Sequence, residues 1–189
     1  MGRWEPGSED RLRAAALDLY AQNGFEQTTV ADIARAARSE ERTFFRLFVD
    51  KREVLFQGQD ELKQRFVEGI AEAPTEATAL EVVAFALDRV APFFGQERQP
   101  WSLRRRQIIE ANPPLMEREQ FKMLTLSTAI SDAFRERGVS EPTATLSAQS
   151  AVAIFDIAFR MWTTPGETRN YAELVTVGID GLRAIATSP

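Results

Sequence analysis

Arg38, Arg42 and Arg46 recur every fourth residue, so on a helix they stand nearly above one another in a single row. Guanidinium groups in such a row can make bidentate bonds to guanine edges or to phosphate oxygens. Thr43 and Phe45 flank the row, and a threonine methyl or an aromatic ring can touch a thymine methyl. Behind it, Phe44, Leu47 and Phe48 have the i, i+3, i+4 spacing of a face that packs inward. A short helix with an apolar back and a basic front suits the major groove of DNA. The same row would also serve as the solvated face of an ordinary helix.

Other chemistries find little support. The chain has no histidine and no cysteine, which removes the usual nucleophile–base pairs, the imidazole and thiolate metal ligands, and disulfides. Glycine-rich phosphate loops are absent, and the carboxylates fall at helix starts and on polar faces. No catalytic residue, metal or cofactor is expected. The net charge of −5 gives no overall basic field for non-specific nucleic-acid binding, though it leaves room for a local arginine face on an acidic body. No apolar run is long enough to span a membrane, and no signal pattern opens the chain, so a cytoplasmic protein is expected.

The elements that must position the arginine row follow from periodicity. Thr29 and Asp32 have capping-box spacing, and Val30, Ile33, Ala34 and Ala37 give the helix they open one small apolar face. The reading helix spans Ser39 to Phe48. Before this pair, Ser8 is expected to cap a helix that ends at Asn23-Gly24, with Leu12, Ala15, Ala16, Leu19 and Tyr20 inward. Met1 to Gly7 reads as a polar arm whose Arg3 could follow a groove. After it, Asp50-Lys51-Arg52-Glu53 opens a helix expected to run without a break to about Ala71, carrying Leu55, Leu62, Phe66 and Ile70. Further helices are predicted over about Glu76–Phe94, Pro100–Glu110, Pro114–Arg137, Glu141–Thr163 and Thr168–Thr187, separated by proline and glycine breaks. No strand alternation occurs, and the chain is expected to be all-α.

Across the first third of the chain, Gly24-Phe25, Thr28-Thr29-Val30, Ile33-Ala34, Ala37, Thr43-Phe44-Phe45, Phe48, Lys51 and Leu55 resemble, in order and spacing, the N-terminal helix-turn-helix domain of the TetR family of transcriptional regulators. The resemblance implies a three-helix DNA-binding domain over residues 8–55. Residues 56–189 would then form a larger helical domain that binds an effector and dimerises. By position, Thr29, Thr43, Phe45 and Lys51 would contact DNA, mostly at its backbone, beside the row of Arg38, Arg42 and Arg46. Three features depart from the family pattern. Arg38-Ser39-Glu40 stands where a turn glycine, an apolar residue and Ser or Thr are usual. Leu47 replaces an aromatic or histidine that reaches phosphate, and Glu40 and Glu41 bring carboxylates towards the DNA face.

The expected effector is small and hydrophobic or amphipathic, because aromatic residues and methionines around broken helices can line an adaptable apolar pocket as readily as they fill a core. Phe66, Phe85, Trp101, Met116, Phe121, Phe155 and Phe159 are the candidates, with Arg105 of the Arg104-Arg105-Arg106 run as a receptor for an acidic group. The small and large residues Ala144, Ala148, Ala151, Phe155, Ala158 and Trp162, with Leu174, Gly178, Gly181, Leu182 and Ile185, are expected to form the homodimer face. The functional expectation is a ligand-responsive repressor that binds a palindromic double-stranded DNA operator as a dimer. The alternative is a helical ligand-binding or protein-interaction module with weakened DNA binding.

Overall fold

Every regular element of the computed structural model, described over residues 7–187, is helical. The α-helices are α1 (Ser8–Asn23), α2 (Val30–Ala36), α3 (Glu41–Leu47), α4 (Gln59–Glu72), α5 (Ala79–Val90), α6 (Gln99–Glu110), α7 (Pro113–Glu136), α8 (Thr143–Trp162) and α9 (Tyr171–Thr187). Arg3 lies outside the described residues. None of these helices is long and apolar enough to cross a membrane.

The chain divides into two units. The first joins the segment ending at Gln57 to a second piece, Arg104–Glu119, and the other holds 58–103 and 120–189. In the first unit α1, α2 and α3 pack on one another around Leu12, Leu17, Tyr20, Ile33, Phe44 and Phe48, all buried. Leu17, absent from the expected inner face of α1, belongs to this core. Gly7 in a left-handed conformation, not Ser8, occupies the capping position of α1 and gives no side-chain cap.

The expected unbroken helix from Asp50 to Ala71 does not form. A 3-10 turn over Glu53–Leu55 is followed by Gly58 at φ 83°, and α4 starts afresh at Gln59. Val54, Leu55 and Phe56 are all buried, whereas three consecutive residues of an α-helix spread over most of its circumference. The seven-residue interval from Leu55 to Leu62 preserves helical phase across the break, which is why periodicity alone reads straight through it.

In the second unit α5 packs against α4, α8 and α9, and α8 against α9. The core contains Phe66, Leu87, Phe134, Ala148, Trp162 and Leu174. Thr78 and Glu81 form a reciprocal capping box that starts α5 three residues later than expected, and Asn170 and Glu173 pair likewise at the start of α9. The side of α8 expected to form the dimer face does not reach the surface. Ala144, Ala148, Ala151, Phe155, Ala158 and Trp162 are buried within the chain's own core and cannot meet a second copy. Small residues in this unit serve close packing inside it. A Cβ on Gly69 of α4 would lie 2.8 Å from Ala86 Cα of α5. Gly69→Ala therefore has to push two backbones apart, and we expect it to lower unfolding free energy by about 1–3 kcal/mol in urea denaturation, despite the better helix propensity of alanine.

Candidate nucleic-acid interface

The N-terminus of α2 is fixed as its sequence requires. Thr29 Oγ1 accepts from the Asp32 amide at 3.2 Å, and the Asp32 carboxylate accepts from the Thr29 amide at 3.2 Å. Hydrogen bonds from the Thr29 side chain and then its backbone hold the Asp32 carboxyl below its ordinary value. The cap's contribution is thus present above the unfolded-state value and lost as pH falls through the folded one.

The C-terminus of α2 is a Schellman motif. The Ser39 amide donates to Ala34 O at 2.8 Å and the Arg38 amide to Arg35 O at 3.1 Å. Arg38 holds the left-handed position at φ 51°, the one such non-glycine among the described residues. The end of α7 makes the same two bonds, from Val139 to Phe134 O and from Gly138 to Arg135 O, with Gly138 at φ 86°. The turn therefore keeps its geometry without glycine, and Arg38 bears the steric cost. Ser39, expected to open α3, lies before it. Glu40 is the N-cap residue, extended and without a side-chain bond, and α3 is shorter than expected, at seven residues.

On α3 the two faces separate as expected. Phe44 and Phe48 are buried, with ring centroids 5.1 Å apart, and Leu47 is half-buried. Arg42 and Arg46 are exposed, as is Arg38 before them; Phe45 is 56 % exposed, Thr43 half-buried and Thr29 exposed. Among the described residues, none of Arg38, Arg42 and Arg46 has an ion-pair or side-chain hydrogen-bond partner. Elsewhere the arginines are engaged: Arg35 with Asp32, Arg52 with Asp50, Arg65 with Glu61, Arg89 with Glu72, Arg135 with Asp132. Two of these free guanidinium groups, Arg42 and Arg46, lie on α3, whereas Arg38, expected on the same helix, sits in the turn before it; the three stand out against that background.

Lys51 follows α3 and does something its sequence position did not suggest. Its ammonium donates to three carbonyls of the α1–α2 loop, Phe25 O at 2.9 Å, Glu26 O at 3.2 Å and Thr28 O at 3.0 Å, and it lies 4.4 Å from the centroid of the Phe25 ring. The Tyr20 hydroxyl donates to Lys51 O at 2.6 Å, and burial pushes that phenol above its ordinary value. All three N–H groups are used, so the residue bolts the segment after α3 to the loop before α2. Nothing in residue spacing signals this clamp, because its acceptors are backbone atoms.

Residues 12–57 match the family described as bacterial regulatory proteins, tetR family. The HTH-type transcriptional regulator TcmR of Streptomyces glaucescens is 32% identical over 83 residues, which are 44% of this chain and 37% of that protein. Residues 12–57 thus carry a TetR-family N-terminal domain. The match spans well under half of that relative's length. A TetR-family transcriptional regulator from Syntrophomonas wolfei has the same fold, with a TM-score of 0.65, 16% identity, and 96% of this chain and 95% of that one covered. FadR of Thermus thermophilus, a TetR-family repressor solved with lauroyl-CoA, superposes with a TM-score of 0.52 at 24% identity, over 94% of this chain and 93% of that one. These likenesses carry the fold over the whole chain: all-α, with an N-terminal helix-turn-helix domain and a larger C-terminal helical domain.

Within this TetR-family fold the candidate effector residues do not form one group. Phe66, Phe155 and Phe159 come together: the rings of Phe66 and Phe155 are 5.8 Å apart, and Phe155 stacks on Phe159 at 6.3 Å. Phe85 is partly buried against the same core, 5.4 Å from the Arg89 guanidinium. Trp101 is half-buried. Met116 and Phe121 are exposed on α7, and Met116, like Arg105, belongs to the first unit. Arg105 is buried and bonded on every side: a bidentate pair with Glu119 at 3.1 and 2.8 Å, a 2.5 Å bond from Nε to Leu55 O, and the Phe56 ring 5.2 Å away. Its neighbours Arg104 and Arg118 pair with Asp18 and Glu53. Arg105 thereby ties the Arg104–Glu119 segment to the 3-10 turn after α3.

Two substitutions separate these roles. Arg38→Gly removes the left-handed strain and should raise unfolding free energy by about 1 kcal/mol, read as a higher urea midpoint at unchanged slope. Arg105→Ala strands Glu119 and the Leu55 carbonyl, and should lower it by about 3 kcal/mol.

Proposed function

We propose that the chain is a cytoplasmic, ligand-responsive transcriptional regulator that binds a palindromic operator in double-stranded DNA as a homodimer and is released by a small apolar effector. The observation that carries this reading is the exposed, unpartnered pair Arg42 and Arg46 on a helix whose opposite side is core, with the equally unpartnered Arg38 in the turn that leads into it. Arg42, Arg46 and Thr43 face base edges, Phe45 offers an apolar edge to thymine methyls, and Thr29 and Arg38 reach the phosphate backbone at the flanks. Lys51 reaches a phosphate only by sharing an N–H already given to a carbonyl, so its main part is to hold α3 in place. The chain's net charge of −5 makes non-specific attraction weak, so the few direct contacts must supply the selectivity.

Dimerisation is supported by a different face from the one read in the sequence. Leu146 and Ile157 on α8 are 61 % and 48 % exposed, and Val177 on α9 is 44 % exposed. Leu146, Ala153 and Ile157 share one side of α8 by spacing, and Val177, Gly181 and Ala184 one side of α9. A two-fold axis through these sides makes a four-helix bundle of small and branched residues. An effector that favours a dimer with reading helices wrongly spaced weakens operator binding, and the operator weakens effector binding by the same factor. The exposed Glu40 and Glu41 at the start of α3 favour the second reading, a ligand-binding or interaction module with weakened DNA affinity.

Selection of genomic fragments with the purified chain, followed by gel shift across a salt series, separates the two readings. A recovered palindrome supports the regulator, and binding that stays non-specific at every salt concentration supports the module. On a recovered site, Arg42→Ala should cost about 1–3 kcal/mol and relax preference at one base position. Ile157→Glu should leave the helical spectrum unchanged while sedimentation shows a monomer and the operator complex is lost; a dimer that persists would remove this face from consideration.

A further inference from the structure

The aromatic cluster of the second unit contains a polar group with nothing to bond. Trp162 is fully buried, and its indole Nε1 has no hydrogen-bond partner among the described residues. The other polar groups around it are spoken for. The Tyr171 hydroxyl donates to Phe155 O at 3.1 Å, and Thr163 Oγ1 donates to Phe159 O at 2.7 Å. A buried donor without an acceptor is uncommon in folded proteins and costs free energy until it finds one.

Phe94 is the ring at the middle of this cluster. It stacks on Tyr171 at 4.3 Å and meets Trp162, Phe155 and Phe159 at 5.6, 5.7 and 5.8 Å. Unlike the residues around it, Phe94 lies on no α-helix: it follows the 3-10 turn Ala91–Phe93 and precedes Gly95 and a second 3-10 turn, Gln96–Arg98. Such turns lack a full ladder of helical hydrogen bonds, so this segment opens at lower cost than the helices flanking it. Displacing that one ring would leave a space bounded by Tyr171, Trp162, Phe155 and Phe159.

The cluster itself holds no buried countercharge among the described residues; Arg98 and Arg65 lie over the neighbouring Phe93 ring at 4.5 and 6.0 Å, Arg98 exposed and Arg65 paired with Glu61. Arg105 is the one charged side chain buried among the described residues; it belongs to the first unit and is paired with Glu119. A carboxylate taken into the cluster would be desolvated without compensation.

We infer that the effector is an uncharged, flat apolar molecule carrying a carbonyl-type acceptor, that it takes the place of the Phe94 ring, and that Trp162 Nε1 donates a hydrogen bond to that acceptor. The inference rests on the effector-responsive reading above and narrows it, since it turns away from anionic lipids and from Arg105 as their receptor.

Three naphthalenes of one size test it by titration calorimetry of the full chain: 2-acetonaphthone, 2-ethylnaphthalene and 2-naphthoate. The wild-type chain should bind the ketone about tenfold more tightly than the hydrocarbon, the ratio expected for one hydrogen bond gained, and should bind the carboxylate weakest. Trp162→Phe should level ketone and hydrocarbon while leaving the hydrocarbon's affinity unchanged. A variant that keeps the preference would mean that the donor is spent on a ring face of Phe94 or Tyr171, and would overturn the assignment. So would tighter binding of naphthoate, or no binding of any probe. If Trp162→Phe does not fold, the indole N–H resonances of the wild-type chain serve: one of the three tryptophans should shift with the ketone and not with the hydrocarbon, and equal responses to both would sink the idea. These readouts involve no DNA. A chain that discriminates the probes but binds no operator counts against the regulator reading alone, and an operator-binding chain blind to them counts against this one alone.

Discussion

A helix of seven residues has no stable direction of its own in water, because nucleation costs more than two turns return. Whatever α3 presents, it presents because the surrounding chain holds it. Three restraints do so: burial of Phe44 and Phe48 on its inner side, the Schellman turn at its entry, and the Lys51 ammonium at its exit, clasped by three carbonyls of the α1–α2 loop. The Tyr20 hydroxyl closes the clasp by bonding Lys51 O. Charged hydrogen bonds of this kind are stronger than neutral ones, and here they join segments 23 to 26 residues apart in sequence. Arg42 and Arg46 of α3 stay unpartnered because lysine, not arginine, does the anchoring.

The same logic explains why the first unit needs a piece from the middle of the chain. The turn after α3 buries Val54, Leu55 and Phe56. The Arg104–Glu119 segment supplies the cover and the fastening, with Arg104, Arg105 and Arg118 bonded to Asp18, the Leu55 carbonyl and Glu53. Because that segment belongs to α6 and α7, helices whose remaining residues lie in the second unit, covalent continuity links the support of α3 to that unit. A regulator needs a connection of this kind if occupancy in one part is to bias geometry in another.

How far the sequence could be read depended on whether a signal was local. The Thr29–Asp32 box, the two faces of α3 and the helix ends at Asn23 and Gly138 depend on neighbours within one turn, and spacing exposes them. The break at Gly58 was hidden because Leu55 and Leu62 keep helical phase across it, so that a stripe seemed continuous where the backbone was not. The alanines of α8 pointed to close packing correctly, but spacing cannot say whether the partner helix belongs to the same chain. Arg105 looked like a receptor because an arginine beside a proline break is ambiguous until its distant partners, Glu119 and a carbonyl fifty residues away, are known. The Lys51 clamp and the orphaned indole of Trp162 had no sequence signal at all, since backbone acceptors and missing acceptors leave no pattern of residue types.

Arg38 shows how these levels trade against one another. The motif that ends α2 recurs at the end of α7 with Gly138 in the left-handed position, so the fold has a ready solution that it does not use at Arg38. Holding arginine there costs about 1 kcal/mol in backbone strain. In return it extends the guanidinium row by one member on the side where the row enters from the turn, before Glu40 and Glu41 add their opposing charge. For the proposed DNA-binding role, each phosphate neutralised changes affinity several-fold at low salt. Under the DNA-binding role proposed above, strain in the turn and an acidic start to α3 are parts of one balance: Arg38 offsets what Glu40 and Glu41 repel, at a position where glycine would relieve the strain and supply no charge.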